Sequence, residues 1–254
     1  MSVVGVVSMK GGVGKTSVTA NLAAAMATAL GRGRVSVVDL DPQNAIHWHF
    51  GLDGTAATGV CIQSMADAPW ADDMLHSQFD VACLPYGDAQ ESDRLAFEDL
   101  LAKEPDWVGR QLQRAGLGDD AVVLIDTPPG PSVYLRQVFA CADLVLIVLL
   151  ADAGSYATVP AMESWLHEVA SMTAGLKCLY LLNQVDRSDP LNRDVTALLQ
   201  KHLATRLVPI QIHRDEAVGE ALAFQQPVIA YAPHGQASHD LAHLANWVVD
   251  TLNR

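Results

Sequence analysis

A glycine-rich stretch near the N-terminus combines two lysines with two hydroxyl side chains. It reads KGGVGKTS over residues 10–17 and follows the apolar run 3–7. Glycines let the backbone turn so that its N–H groups converge on phosphate oxygens, and a helix that begins at such a turn favours an anion. The stretch therefore predicts a phosphate-binding loop. The backbone groups predicted to bind phosphate belong to Gly11, Gly12, Val13 and Gly14.

The side chains of this loop have distinct predicted tasks. Lys15 can reach the β- and γ-phosphates of a nucleotide, Thr16 can bind Mg²⁺, and Ser17 can reach the α-phosphate. Met9 occupies the position where the common pattern G-x-x-x-x-G-K-[ST] has its first glycine. The alternative, a glycine turn with two surface lysines, is disfavoured because a strand, the loop and a helix are predicted in this order.

Acidic side chains follow two other apolar runs of the chain. Asp39 and Asp41 lie within VVDLDPQNA (37–45), and Asp126 ends the run VVLID before TPPGP. A carboxylate at the end of a rigid strand can hold Mg²⁺ directly or through water. We therefore expect Asp126 and Thr16 to bind a metal. For the Asp39 and Asp41 pair taken alone, an ordinary acidic turn is the alternative.

Short β-branched runs alternate with longer helical patterns along the chain. Strands are predicted over 3–8, 35–39, 80–84, 122–126, 144–150, 177–183 and 207–212. Helices are predicted near 16–30, 92–102, 106–115, 134–140, 158–170, 192–204, 216–223 and 239–252. This alternation predicts the α/β class, as a single domain over 1–254 with a doubly wound, mostly parallel sheet flanked by helices. Ligands of such sheets bind outside the carboxyl ends of the strands.

The composition indicates which kinds of partner and which cellular compartment are expected for this protein. The 254 residues carry a net charge of −13, which argues against a broad basic surface for nucleic acid and leaves only a local patch open. The N-terminus lacks the basic flank of a signal peptide, and the most apolar run, 144–151, is too short to cross a bilayer. The four cysteines form no CxxC pair, which favours reduced cysteines in a cytoplasmic protein.

The loop as a whole resembles the deviant Walker loop K-G-G-x-G-K-[ST] of the MinD/ParA group of P-loop ATPases. The resemblance implies the MinD-like (SIMIBI) fold, ATP and Mg²⁺ as ligands, and a homodimer that encloses two nucleotides. In that group the early lysine, here Lys10, reaches the partner's nucleotide, whereas Lys15 acts within its own chain. A partner's cation of this kind can speed phosphoryl transfer by roughly 10³–10⁵. A solvated Lys10 is the alternative.

The same resemblance implies roles for the two segments that follow the acidic strands. Asp41 is implied to position the attacking water, and Asp39 to lie near the metal. In DTPPG (126–130), the N–H of Gly130 is implied to sense the γ-phosphate. These segments correspond to the two switches of the group.

The base-binding residues are also implied by the resemblance. Asn183 ends the strand before QVD and is implied to contact adenine, with Pro209 and Arg214 beside the base. A salt bridge or surface role is the alternative for Arg214. The stretch 183–186 differs from the guanine-reading pattern N-K-x-D only at Gln184, and ATP is favoured over GTP on the family resemblance.

Longer strings narrow the resemblance within this group. Residues 212–231 (IHRDEAVGEALAFQQPVIAY), 244–247 (LANW) and 84–87 (LPYG) resemble the bacterial cellulose-biosynthesis family BcsQ (YhjQ). This resemblance implies a cytoplasmic regulatory subunit for assembly, localisation or stability of a membrane-bound cellulose synthase secretion complex. BcsR- and BcsE-like proteins are the implied partners. Because both loop lysines are kept, ATP hydrolysis is chemically feasible.

Two other functions stay open. One is a ParA- or MinD-like partitioning or positioning ATPase on DNA or membrane, and the other is a non-hydrolysing scaffold held together by ATP. The negative charge argues against DNA. The C-terminal segment has an apolar face, and its terminal cation is Arg254, so we expect it to dock on the core and to reach a membrane only through partners. His239 and His243 lack an evident third metal ligand, which favours surface or packing histidines.

Overall fold

The fold is built around one sheet. The computed structural model describes residues 1–52, 58–170 and 175–253. The described strands are β1 (Ser2–Val7), β2 (Val35–Asp39), β3 (Leu75–His76), β4 (Val81–Leu84), β5 (Val122–Asp126), β6 (Leu144–Leu150) and β7 (Lys177–Asn183). They pair in the order β3-β4-β2-β5-β1-β6-β7, and only β3 runs antiparallel to its neighbour. The doubly wound, mostly parallel α/β class is confirmed.

Helices cover both faces of this sheet. The described α-helices are α1 (Lys15–Leu30), α2 (Val60–Met65), α3 (Glu91–Lys103), α4 (Trp107–Arg114), α5 (Val133–Cys141), α6 (Ala153–Ala170), α7 (Pro190–Leu203), α8 (Ala217–Ala223), α9 (Val228–Tyr231) and α10 (Gln236–Leu252). Buried residues of α1, α8, α9 and α10 form one core layer, and those of α2 to α7 form the other. The sheet therefore separates two hydrophobic cores.

The central strand β6 shows why the chain folds in this way. Its sequence LVLIVLL is apolar throughout, as expected for a parallel strand buried on both faces. Because successive strand side chains point to opposite faces, Leu144, Leu146 and Val148 enter one core, whereas residues 145, 147 and 149 enter the other. Such strands leave polar residues only at their ends, where the candidate site lies.

The strand predicted over 207–212 is wrong. This segment makes only isolated bridges, one between Leu207 and Tyr180 and one between His213 and Val185. The N–H groups of Val208 and Ile212 still donate to carbonyls of β7. Between these two hydrogen bonds the segment advances four residues whereas β7 advances two, so residues 209–211 leave the ladder and no regular strand forms.

Helix α6 begins earlier than predicted. Residue 158 was the expected start, but the helix begins at Ala153 because the Asp152 carboxylate accepts a hydrogen bond from the Ser155 N–H at 2.6 Å. Pro160 is the eighth residue of this helix, and because it has no N–H it cannot donate the helical hydrogen bond to the carbonyl of Tyr156. The short elements α2, α9 and β3 were not predicted.

The C-terminal helix docks on the core as expected. Leu241, Leu244, Ala245 and Val248 of α10 are buried in the core layer that also contains α1. Arg254, on which part of the membrane argument depended, lies outside the described residues. Across residues 1–52, 58–170 and 175–253, the helices are too short or too polar to span a membrane.

Candidate nucleotide-binding site

The predicted phosphate loop connects β1 to α1 at the carboxyl end of the sheet. Gly12 and Gly14 adopt left-handed backbone conformations, with φ of 76° and 83°. Gly14 precedes α1 without a side-chain cap, and the first turn of the helix contains no acidic residue. The first N–H groups of α1 are therefore available to an anion.

Gly14 is required by two independent constraints. Its φ is unfavourable for other residues, and a Cβ atom built on it would lie 2.6 Å from Asn183 Nδ2. Gly33 has a similar φ of 74° but no atom within 4 Å of a built Cβ. A substitution at Gly33 therefore introduces backbone strain alone, whereas a substitution at Gly14 introduces both strain and a steric clash in the site.

We expect Gly14→Ala to destabilise the protein by about 1–3 kcal/mol and to abolish nucleotide binding, because the loop must shift to relieve the contact with Asn183. Gly33→Ala serves as the matched control, with a similar backbone strain but normal nucleotide binding. Thermal unfolding and nucleotide titration measure both effects. Normal nucleotide affinity in Gly14→Ala would contradict the tight loop geometry.

Three side chains converge on the carboxylate that ends β5. Thr16 Oγ1 donates to Asp126 Oδ2 at 2.6 Å, and Thr19 Oγ1 donates to Asp126 Oδ1 at 3.3 Å. Lys15 is 7% exposed, and its charge acts on the same carboxylate. The structure thus brings together the predicted pair Thr16 and Asp126. Thr19 was missed, although it lies one helical turn after Lys15.

The electrostatics of this cluster favour a cation. Asp39 and Asp126 are register partners on neighbouring strands, and both are 0% exposed. Burial raises the pKa of Asp126 to about 6, partly offset by Lys15 and Thr16. Burial, and then the charge of Asp126, raises the pKa of Asp39 well above its ordinary value. A divalent cation would stabilise the ionised carboxylates.

The donor set fits Mg²⁺. One carboxylate and one hydroxyl suffice, because Mg²⁺ takes its remaining ligands from water and phosphate oxygens. In the described part of the chain, no group of three or more His, Cys, Asp or Glu side chains could hold a metal ion. A cation at Asp126 and Thr16 would therefore be bound together with a phosphate ligand.

Asp39 holds the first predicted switch in place. Its carboxylate accepts hydrogen bonds from the N–H groups of Asp41 at 2.9 Å and Ile46 at 3.3 Å. Asp41 itself is 9% exposed and accepts from the Gln43 N–H at 3.0 Å. Asp39 thus has a positioning role in this structure, and its role near a metal stays a prediction.

The second predicted switch is closed onto the phosphate loop. The Gly130 N–H donates to the Ser8 carbonyl at 2.8 Å, and Gly130 adopts a φ of 83°. The N–H that was expected to sense a γ-phosphate is therefore engaged within the chain. Contact with a phosphate would require this hydrogen bond to break.

Lys10 forms an ion pair within its own chain. Its Nζ lies 2.8 Å from Asp152 Oδ2, and both side chains are about two-fifths exposed, at 38% and 40%. Burial by itself raises the pKa of Asp152, but hydrogen bonds from Lys10 and Ser155 outweigh it and lower the pKa. Asp152 was missed by the sequence analysis, although it is the first acidic residue after β6.

A cavity of about 400 Å³ lies beside the loop. Gly14, Ser17 and Val18 line it on one side, and residues 183–184 and 212–216 line it on the other. Its size and largely apolar lining suit a small aromatic ligand. Asn183 Nδ2 donates to the Val13 carbonyl at 2.8 Å. This hydrogen bond directs the amide nitrogen to the loop, so the amide oxygen is an acceptor for a ligand.

Of the three predicted base-binding residues, two line the cavity and one does not. Asn183 and Arg214 line the cavity, and the charge of Arg214 is among the causes that lower the pKa of Asp186. Pro209 is exposed and does not line the cavity, so the structure does not bring it together with Asn183 and Arg214, and its role beside the base stays a prediction. The hydrogen bonds to β7 place Val208 beside Tyr180 and Ile212 beside Leu182, so only residues from 212 onward reach the strand's carboxyl end.

The guanine-reading alternative lacks its carboxylate. The Asp186 carboxylate accepts from the N–H of Ser188 at 2.8 Å and from its Oγ at 2.5 Å. Asp186 lines a neighbouring cavity of about 360 Å³ rather than the one beside the loop. A guanine in the larger cavity would therefore not meet this side chain.

The strand order, the loop at the start of α1 and the buried acidic strand ends define a P-loop NTPase fold. The family model described as cellulose biosynthesis protein BcsQ matches residues 1–249. The chain belongs to this BcsQ family. A curated relative, the cellulose biosynthesis protein BcsQ of Salmonella typhimurium, is 31% identical over 252 residues, which cover 97% of this chain and 94% of that protein.

Solved structures share the same fold. The septum site-determining protein MinD of Pyrococcus horikoshii, complexed with Mg-ADP, aligns with a TM-score of 0.77 and 24% identity over 97% of this chain and 95% of that chain. Cobyrinic acid a,c-diamide synthase of Mycobacterium smegmatis, with a bound ATP analogue and magnesium, aligns with a TM-score of 0.80 and 23% identity. These alignments cover 98% of this chain and 94% of that synthase chain.

Proposed function

We propose that this protein is an ATP- and Mg²⁺-binding dimeric switch that acts in bacterial cellulose synthesis. It would serve as a regulatory, assembly or localisation subunit of the cellulose synthase secretion complex, with BcsR- and BcsE-like proteins as partners. The observation that carries the nucleotide part is the cluster below the glycine loop, in which half-buried Thr16 donates to the buried Asp126 beside the buried Lys15. Family membership supports the cellulose part.

Different residues of the chain bind the phosphates, the metal, the attacking water and the base. The N–H groups of 11–14 and the Lys15 ammonium hold the phosphates, and the Ser17 hydroxyl holds the α-phosphate. Thr16 and Asp126 hold Mg²⁺, which neutralises charge on the phosphate oxygens when bound. Asp41 orients a water molecule for attack on the γ-phosphate. Asn183 and Arg214 contact the base.

Dimerisation supplies the remaining cation. Lys10 leaves Asp152 and reaches the nucleotide of the partner subunit. The partly exposed position of the Lys10–Asp152 pair supports this exchange, since ion pairs at such positions contribute only about 0–1 kcal/mol. The switch thus has two states, a single chain with Lys10 on Asp152 and a nucleotide-bound pair. Both states are compatible with recruitment of the protein to a membrane by its partner proteins.

We expect Asp41→Ala to slow phosphate release about 10²-fold and to prolong the ATP-bound dimer, because the attacking water loses its orienting carboxylate. ATP binding should change little, since Asp41 is not expected to contact the nucleotide. Asp72→Ala, at an exposed acidic position, is the control. Faster phosphate release in Asp41→Ala would exclude the water-positioning role. A wild-type dimer that retains ATP without turnover would favour the scaffold alternative.

Partner capture from cells tests the cellulose role. We expect affinity-tagged wild-type protein to recover cellulose synthase subunits, as read by mass spectrometry. Lys15→Ala, which cannot bind ATP, should recover fewer of them because the nucleotide-bound state is missing. Recovery of partitioning or cell-division proteins instead, or no difference between the two proteins, would contradict the proposed switch in this pathway.

A further inference from the structure

A histidine in the cavity beside the loop is held by a buried carboxylate. His213 Nδ1 lies 2.9 Å from Asp240 Oδ2, and the His213 N–H donates to the same oxygen at 2.8 Å. Asp240 is 7% exposed, and its other oxygen accepts from Gln236 Nε2 at 2.8 Å. Backbone and ring of His213 are thus both fixed relative to α10. Nothing in the phosphate chemistry requires this arrangement.

The carboxylate determines what the ring offers to a ligand. An ionised carboxylate only accepts hydrogen bonds, so Nδ1 must carry a proton. In a neutral imidazole Nε2 is then an acceptor, directed to the opposite edge of the ring. Nε2 of His213 makes no hydrogen bond with another described residue. It is an oriented acceptor without a partner in residues 1–52, 58–170 and 175–253.

The location of His213 in the cavity lining indicates which kind of ligand group could contact Nε2. His213 lines both the 400 Å³ cavity beside the loop and the neighbouring cavity of about 360 Å³. The surrounding lining is mostly apolar, with Val18, Ile212 and Leu241 among it. In such a lining, a few placed polar groups determine which ligand is accepted. Acceptors favour a ligand edge that carries N–H donors.

We propose that His213 Nε2 accepts a hydrogen bond from the exocyclic amine of the adenine base and so makes the site selective for ATP over GTP. This inference rests on the proposed function, because it places the base of ATP in the 400 Å³ cavity. Adenine has an amine where guanine has a carbonyl oxygen. That oxygen would face the Nε2 lone pair, an acceptor against an acceptor, because the contact with Asp240 holds the proton of the neutral ring on Nδ1.

Nucleotide analogues test the contact directly. Affinities of wild type and His213→Phe for ATP, GTP and purine riboside triphosphate, which lacks the amine, are measured at pH 8 with Mg²⁺. We expect wild type to bind ATP about 10-fold more tightly than purine riboside triphosphate, and His213→Phe to bind the two equally. His239→Phe, at an exposed position of α10, should behave as wild type.

The outcomes separate this inference from the proposed function. An equal loss of affinity for ATP and purine riboside triphosphate in His213→Phe would overturn the contact, but the proposed ATP-binding function of the protein would still stand. Equal affinity of wild type for these two nucleotides would overturn it without any variant, even if His213→Phe failed to fold. Absence of ATP binding by wild type would instead overturn the proposed function, and this inference with it.

Discussion

Lys10→Ala is expected to bind ATP almost as well as the wild type but to form no ATP-dependent dimer. The side chain starts the phosphate loop, yet its Nζ pairs with Asp152 rather than with the cluster around Lys15. Its removal therefore leaves the phosphate contacts of its own chain in place. Phosphate release should fall about 10³-fold, because the partner's cation is lost at the transition state. Light scattering, nucleotide titration and a phosphate-release assay measure the three quantities.

A surface lysine provides the control for this variant. Lys103 forms an exposed ion pair with Asp99 on α3, away from the loop. Lys103→Ala should therefore dimerise and release phosphate as the wild type does. Undiminished ATP-dependent dimers in Lys10→Ala would exclude a role for Lys10 across the dimer. Loss of ATP binding itself would indicate that Lys10 acts on the nucleotide of its own chain.

Asp126→Asn is expected to have opposite effects on stability and on ligand binding. In the ligand-free protein, the buried carboxylate lies beside Asp39 and is costly to ionise. The neutral amide should raise the free energy of unfolding at pH 7 by about 1–3 kcal/mol. Mg²⁺-dependent ATP affinity should fall by about 10–100-fold, because a metal ligand is lost. Thermal unfolding and titration with and without Mg²⁺ measure both effects.

The pH dependence of stability provides a second readout for this position. The pKa of Asp126 is raised from an ordinary value of 3.8 to about 6 in the folded protein. The folded state therefore binds more protons than the unfolded state in this interval, and the stabilisation present below pH 4 is lost as pH rises through 6. This loss should be smaller in Asp126→Asn. Asp99→Asn, on the surface of α3, should keep the wild-type profile.

A stability of Asp126→Asn at or below that of the wild type, combined with unchanged ATP affinity, would contradict the assignment. Such a result would mean that other groups of the chain already stabilise the negative charge of the Asp126 carboxylate and that this carboxylate does not bind a metal. Added Mg²⁺ and ATP should stabilise the wild type by mass action and should have little effect on the variant. This comparison separates a metal-binding role from a purely structural one.

The parts of the site that are local in sequence could be predicted. The loop, its lysines and its hydroxyls occupy residues 10–17, and the neighbouring strand and helix follow from hydrophobic pattern alone. Asp126 could be predicted because an acidic residue that ends a buried strand must lie at the carboxyl edge of the sheet. Thr16 and Asp126 are 110 residues apart, yet both follow from this topological rule.

The parts that depend on packing could not be predicted. Asp152 pairs with Lys10 across 142 positions, and Asp240 orients His213 from a helix 27 residues later. No spacing rule in the sequence connects such pairs. The position of Pro209 outside the cavity has a related reason, because it depends on the register with β7, and a shift of a few residues moves a side chain away from the strand end. Arg214, a few residues later, lines the cavity.

In the proposed switch, two copies of the chain enclose two nucleotides and Lys10 acts across the dimer. The most direct test is a crystal structure grown with Mg²⁺ and a non-hydrolysable ATP analogue. We expect a two-fold symmetric pair of chains in which Lys10 Nζ has left Asp152 and contacts the partner's γ-phosphate. Nucleotide-bound single chains in which Lys10 still pairs with Asp152 would contradict it.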